Sequence, residues 1–311
     1  MAQMFERVAL IGLGLIGSSL SHAMRRAGLA RTIAGHAQSE RTRTTALRIG
    51  LVSSAYATAA EAARDADLVV LCVPVGVCGT VGRDIGPSLK PGAILTDVGS
   101  VKGAVLRDVA PFVPEGVHFI PGHPIAGTEH SGPESGFAEL FDGRWCVLTP
   151  PPGASPGAVE ALAAFWKACG SHVEVMDAQH HDLVLAITSH VPHLIAYNIV
   201  NTARHLEKVT DTEVIKFSAG GFRDFTRIAA SDPVMWRDVF LNNKEAVLEM
   251  LGRFSEDLTT LQRAIRFADG DTLHKLFVEA RATRRGIIQA GQDTAAPDFG
   301  RPHGPTKPTS A

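Results

Sequence analysis

Arg7-Val-Ala-Leu-Ile11 runs straight into Gly12-Leu-Gly14-Leu-Ile-Gly17, and a helical stretch from Ser18 to Ala27 follows before Gly28. The first five residues are a short apolar run closed by glycine, the pattern of a strand buried on both faces. The glycines have separate tasks in such a turn. Gly12 permits the tight bend, Gly14 lets the backbone approach a pyrophosphate, and Gly17 lets helix and strand pack closely. The helix that follows aims its free N–H groups and positive dipole end at phosphate. A GxGxxG alone is a weak signal; its place between a strand and a helix near the start of the chain makes it informative. Gly12, Gly14, Leu15, Ile16 and Gly17 are therefore expected to cradle a dinucleotide.

The alternation continues downstream. Asp67-Leu-Val-Val-Leu-Cys-Val-Pro74 and Ala93-Ile-Leu-Thr-Asp97 read as buried strands, with His118–Pro121 and Cys146–Thr149 as shorter candidates. Helical stretches such as Thr58–Arg64 and Val101–Ala110 lie between them. This order predicts an α/β Rossmann domain, a doubly wound and mainly parallel sheet, over residues 1–178. Ligands in such sheets bind beyond the carboxyl ends of the strands, so the loops after Val73, Asp97 and Pro121 should face cofactor and substrate. Val73, Pro74 and Asp97 are accordingly taken as cofactor contacts.

From Gln179 the short strands give way to helices. Asp232-Pro233 has the form of an N-cap followed by proline in the first turn. Val247, Leu251, Phe254, Leu258, Leu261 and Ile265 form one apolar stripe over several helical turns, and Leu273, Leu276 and Phe277 begin another helix. An all-α domain over 179–290 is predicted to hold substrate and to make a homodimer. Residues 291–311, rich in Pro, Gly, Thr and Ser, read as a disordered tail.

Composition narrows the function. The chain has 311 residues, 45% hydrophobic and 20% charged, with 30 Lys+Arg against 32 Asp+Glu and a net charge of −2. No basic excess is available to grip nucleic acid or an anionic membrane. Val8–Leu20 is interrupted by glycines, preceded by Glu6 and Arg7, and too short to span a bilayer. Cys72, Cys78, Cys146 and Cys169 form no CxxC pair and read as buried thiols. A cytoplasmic protein is expected.

The second strand, Thr32–Gly35, leads into His36-Ala37-Gln38-Ser39-Glu40-Arg41. Ala37 stands where an acidic residue would hold the ribose 2′-hydroxyl of NAD. Without that carboxylate nothing repels a 2′-phosphate, and Ser39, Arg41 or Arg43 could bind one near His36. NADP is favoured over NAD; the arginines could instead lie on a solvated helix face, with NAD used without an acidic anchor.

Three further segments can carry chemistry. Thr96-Asp97-Val-Gly99-Ser100-Val-Lys102 places a hydroxyl just after a strand. Gly122-His123-Pro124-Ile-Ala-Gly127, with Glu129 beyond, holds a histidine in what reads as a constrained loop, and an imidazole there suits a general base because its pKa lies near neutrality. Taken alone, His123 could equally be a structural hydrogen-bonding residue. The helical half contributes Ser189-His190-Val-Pro192-His193, Gly220-Gly221-Phe222-Arg223-Asp224-Phe225-Thr226-Arg227, and Trp236. Arg227 beside a glycine turn suits a carboxylate clamp, with a surface ion pair to Asp224 or Asp232 as the plainer reading. HxxH is set aside as a metal site, because a proline intervenes and no partner ligand lies nearby.

Together DVGSVK, GHPIAG, SHVPH and GGFRDFTRIA resemble the prephenate/arogenate (cyclohexadienyl) dehydrogenase family, over Val8 to about Gln289. The resemblance is to the stand-alone form, without a chorismate mutase or ACT unit. It implies oxidative decarboxylation of prephenate or arogenate with NAD(P) reduction, in tyrosine biosynthesis. It also implies roles: His123 accepts the proton of the substrate 4-hydroxyl, Ser100 orients that group, and Arg227 binds the ring carboxylate. His193, Ser189 and His190 would face the substrate side chain, and Glu129 and Trp236 would stand near the pocket. Two other readings compete. A 3-hydroxyacid dehydrogenase of the 6-phosphogluconate or hydroxyisobutyrate type would need a lysine where this chain has His190 and His193. A non-catalytic dinucleotide sensor would leave His123, Ser100 and Arg227 without a task.

Overall fold

The computed structural model describes residues 3–128, 130–205 and 211–289. Glu129 and the predicted tail therefore lie outside the described residues. Six strands, Phe5–Ile11 (β1), Ala30–His36 (β2), Ser54–Tyr56 (β3), Leu68–Leu71 (β4), Ile94–Asp97 (β5) and His118–Phe119 (β6), form one sheet in the order β3-β2-β1-β4-β5-β6. Every pairing in it is parallel. The helices between and after the strands are Leu15–Ala27 (α1), Glu40–Arg48 (α2), Ala59–Ala63 (α3), Cys78–Ile85 (α4), Lys102–Val109 (α5) and Pro156–Ala168 (α6).

The two-residue period of β1 explains the layering. Val8 and Leu10 join the core formed with Leu20, Met24, Phe165 and Trp166 of α1 and α6. Ala9 and Ile11 point the other way, into the core shared with Ala62, Cys78 and Val105 of α3, α4 and α5. Each large apolar side chain so buried stabilises the fold by about 1.5–3 kcal/mol relative to exposure. Thr58 and Glu61 close a reciprocal capping box at the start of α3, which is why that short helix begins where it does.

The Cys146–Thr149 stretch is a strand but does not join the parallel sheet. Gly122–Pro124 (β7), Trp145–Leu148 (β8) and His172–Val175 (β9) make a second, three-stranded sheet, with β7 antiparallel and β9 parallel to β8. His123 is therefore a strand residue opposite Val147, not a loop residue as the flanking glycine and proline suggested. All four cysteines are free, and burial pushes the Cys78 and Cys169 thiols up to about 12, which leaves them unreactive.

The remaining elements are helical: Ala178–Leu185 (α7), Val191–Arg204 (α8), Asp211–Phe217 (α9), Gly220–Thr226 (α10), Pro233–Asn242 (α11), Lys244–Arg266 (α12) and Gly270–Gln289 (α13). Asp232 caps α11, its carboxylate accepting from Val234 N and Met235 N. A π-turn over Ala186–His190 joins α7 to α8 just before Pro192. The widened turn accommodates a ring that cannot donate and that crowds the preceding carbonyl. The helical span Ala178–Arg204 is long and apolar enough to cross a membrane by length and composition, an 18-residue window in it having a mean hydropathy of 1.5. Within it His181, Asp182 and His190 are buried, each hydrogen-bonded to another part of the chain.

The chain divides into two compact units, Met1–Val247 and Leu248–Ala311. The first contains both sheets and all the site residues described below. In the second, Leu258 and Ile265 of α12, Phe267 in the turn after it, and Phe277 and Val278 of α13 are exposed.

Candidate active site

The glycine turn has the shape that a dinucleotide needs. Gly12 has φ +110°, and a Cβ there would fall 2.2 Å from the carbonyl oxygen of Cys72. A Cβ on Gly17 would fall 2.1 Å from the oxygen of Gly12, so helix and turn touch backbone to backbone. A Cβ on Gly14 would meet nothing within 4 Å, which leaves space on the open side of the turn. Gly14 is also the N-cap of α1 and offers no side-chain cap, so the first-turn amides remain available to an anion. These features fit a pyrophosphate. Leu15 and Ile16 are half-buried in that first turn, and Val73 and Pro74 follow β4 at the same end of the sheet.

At the end of β2, His36 Nδ1 lies 3.1 Å from the carbonyl oxygen of Tyr56, and Ala37 is buried. Ser39 is the N-cap of α2, accepting from Thr42 N, and Arg41 is exposed one residue into the helix. Arg43 folds its guanidinium back onto the carbonyls of Ala37 and Gln38, at 2.7 and 2.9 Å.

Asp97, expected as a cofactor contact, instead turns its carboxylate inward. Asp97 and Lys102 are both fully buried and form an ion pair. Asp97 also accepts from Gly99 N at 2.7 Å and from Gly122 N at 3.1 Å. Lys102 Nζ donates to the carbonyl of Gly122 at 2.7 Å. The pair thus holds both the N–H and the C=O of Gly122, the residue preceding His123. Ser100 is half-buried in the same loop, between β5 and α5.

His123 is only 8% exposed. Its Nδ1 lies 2.8 Å from Nε2 of His181, whose own Nδ1 lies 2.8 Å from Asp182 Oδ1. Burial holds His123 well below the usual imidazole pKa, and the neighbouring His181 and Lys102 push the same way. His190 is lowered to about 4, chiefly by burial. His193 is lowered too, first by burial and further by Arg227, against the Ser189 carbonyl that its Nδ1 engages at 2.8 Å. His193 stacks on Trp236, ring centroids 3.6 Å apart and planes 23° apart. Burial lowers His181 as well, against its bond to Asp182, so His123, His181, His190 and His193 are neutral at pH 7, with the cation Arg227 bearing on His193.

His190, expected to face the substrate side chain, is fully buried; its Nδ1 lies 3.1 Å from Asn243 Nδ2, and its ring meets Trp236 edge-on. Its place is behind His193 and Trp236. Ser189 is half-buried in the π-turn, and Arg227 is exposed at the C-terminal end of α10.

Residues 20–175 match the family description "Prephenate dehydrogenase, nucleotide-binding domain", and residues 177–279 match "Prephenate dehydrogenase, dimerization domain". The chain belongs to the prephenate dehydrogenase family. It is 41% identical to the cyclohexadienyl dehydrogenase of Zymomonas mobilis, over 91% of this chain and 96% of that one. Among solved structures, the prephenate dehydrogenase of A. aeolicus in complex with hydroxyphenyl propionate and NAD+ superposes with a TM-score of 0.84 at 32% identity, covering 91% of this chain and 98% of that one. The arogenate dehydrogenase of Synechocystis superposes with a TM-score of 0.77 at 26% identity, covering 90% and 99%.

For this prephenate dehydrogenase family member, the structure adds residues that the motifs did not single out. His181, Asp182 and Asn243 hold the site residues through buried hydrogen bonds, and Lys102, present in the DVGSVK segment but given no task there, joins them through Asp97 and Gly122. For His181 and Asp182 one signal was present in the sequence: a His-Asp pair running directly into the apolar stretch Leu183–Ile187 is rarely buried without a partner.

Proposed function

We propose that this chain oxidatively decarboxylates prephenate or arogenate, giving 4-hydroxyphenylpyruvate or tyrosine, with NADP as the favoured acceptor over NAD. The observation that carries the reading is the neutral histidine cluster around His123, with Arg227 at its edge, in a chain that matches the family over residues 20–175 and 177–279. Residues 1–178 hold the cofactor, and residues 179–290 hold substrate and form the homodimer of a cytoplasmic enzyme. The apolar side chains left exposed on Leu258, Ile265, Phe267 and Phe277 suit such a subunit contact better than they suit water.

The bound nicotinamide supplies a hydride acceptor for C4 of the cyclohexadiene. Everything else falls to the chain. His123 takes the 4-hydroxyl proton as the C4–H bond breaks, with Ser100 orienting the hydroxyl. Departure of CO2 leaves its bonding pair in the ring, and the proton held on His123 returns to the phenolate oxygen. Arg227 holds the ring carboxylate, while His193 and Ser189, backed by Trp236, line the side-chain end. Because aromatisation supplies the driving force, orientation and one proton are what the protein must manage.

For the cofactor, the absence of an acid at Ala37 supports NADP, as do Ser39 and Arg41 exposed beside it. Four absorbance assays, prephenate and arogenate each with NAD and NADP, test the whole reading. Turnover is expected with at least one substrate and faster with NADP; no turnover by folded, cofactor-bound protein refutes it. Arg227→Ala is expected chiefly to raise KM, by about 1–3 kcal/mol of lost charge-assisted bonding. An unchanged KM in steady-state kinetics would mark a structural arginine.

A further inference from the structure

A neutral imidazole carries one proton on one of two nitrogens, and only a bare nitrogen can take a proton from a hydroxyl. For His123 the choice is made by what stands behind it. Asp182 Oδ1 accepts from Lys102 N at 2.7 Å, and Oδ2 accepts from Gly103 N at 2.8 Å. The same Oδ1 lies 2.8 Å from His181 Nδ1. A carboxylate held by two backbone amides is an acceptor, so the proton on His181 must sit on Nδ1. His181 Nε2 is then a lone pair, 2.8 Å from His123 Nδ1. Two lone pairs at that distance repel, so His123 must carry its own proton on Nδ1. Its Nε2 is left bare.

We infer that His181, itself oriented by Asp182, is a positioning residue that fixes His123 in its Nδ1–H tautomer and leaves Nε2 to accept the substrate proton. The opposite arrangement would put the Asp182 carboxylate against a lone pair on His181. The chain also serves the charged state: when His123 becomes an imidazolium, its Nδ1–H still donates to His181, whose ring is polarised by Asp182 without taking the proton. Asp182 is anchored to the first turn of α5 and not to solvent, so the direction of the chain is set by the fold.

The inference rests on His123 being the base, and the test separates the two. Full-length protein with 15N-labelled histidine is examined by long-range proton–nitrogen correlation, which distinguishes the tautomers directly. Wild type is expected to show His123 protonated on Nδ1. His181→Leu, which removes the acceptor, is expected to move His123 toward the Nε2–H form and to lower kcat by on the order of 10–10²-fold with KM unchanged. His181→Gln places an amide oxygen near the lost Nε2 and is expected to restore both tautomer and most of kcat. A wild-type His123 protonated on Nε2 overturns the inference, whatever the variants do. So does full kcat in His181→Leu when His123→Asn is inactive. Turnover retained by His123→Asn would instead overturn the base assignment, with the tautomer still decided by the spectrum. If His181→Leu fails to fold, the wild-type spectrum and the Gln variant decide the outcome.

Discussion

His123→Asn is expected to lower kcat by on the order of 10²–10⁴-fold, the usual scale for losing a general base, while cofactor affinity stays as it was. The amide is close in size and can still bond to His181, so the sheet around β7 should persist. What it cannot do is accept a proton. Equilibrium binding of the dinucleotide, followed by single-turnover rates, separates the two properties; near-normal turnover would remove His123 from the reaction. The same residue sets a pH limit. A base works only when unprotonated, so activity is present above its pKa and lost as pH falls through it. Because burial holds His123 well below 6.5, the acid limb of kcat/KM should lie below pH 6.5, with a flat profile through neutrality.

Lys102→Met is expected to cost about 3–5 kcal/mol of stability, because it leaves the Asp97 carboxylate buried without its counter-charge. For a protein of 311 residues that corresponds to a fall in melting temperature of roughly 5–8 °C, readable by calorimetry. Removing both charges together does not escape the loss. Asp97 also receives the amides of Gly99 and Gly122, and an apolar replacement would strand them. An unchanged melting temperature in Lys102→Met would show that the pair contributes nothing net. A folded Lys102→Met protein should also lose activity, since the carbonyl of Gly122, one residue before His123, would no longer be held.

The glycine turn and the buried strands were legible because their signals are local. A two-residue period in β1 and three spaced glycines each say what the backbone does within one turn or strand. The same locality explains what was missed. His123 has glycine and proline around it, so it read as a loop; its strand character comes from β8, more than twenty residues later. Asp97 looked like an acid at an open strand end, yet Lys102, five residues on, folds back to cover it. His181 and Asp182 gave no motif at all, because their meaning lies in α5, which contacts them across some 80 residues of chain. Arg227 drew notice from the glycine turn beside it, whereas His193 and Trp236 were assigned to a pocket only through family resemblance, since nothing in their spacing declares that a histidine and a tryptophan from two helices should stack.

The carboxylate of Asp182 has a consequence for how such enzymes can be recombined. It supplies the missing hydrogen-bond acceptors for the start of α5, so a helix of the nucleotide-binding half begins on a residue belonging to the other half. Cutting the gene near residue 176 would separate two family domains that are not chemically independent. A chimera joining residues 1–176 to a foreign partner without an acid at this position would leave two amides bare and the histidine pair undirected. Exchange of substrate specificity between relatives should therefore succeed by trading residues within the helical half and fail when whole halves are swapped without that carboxylate.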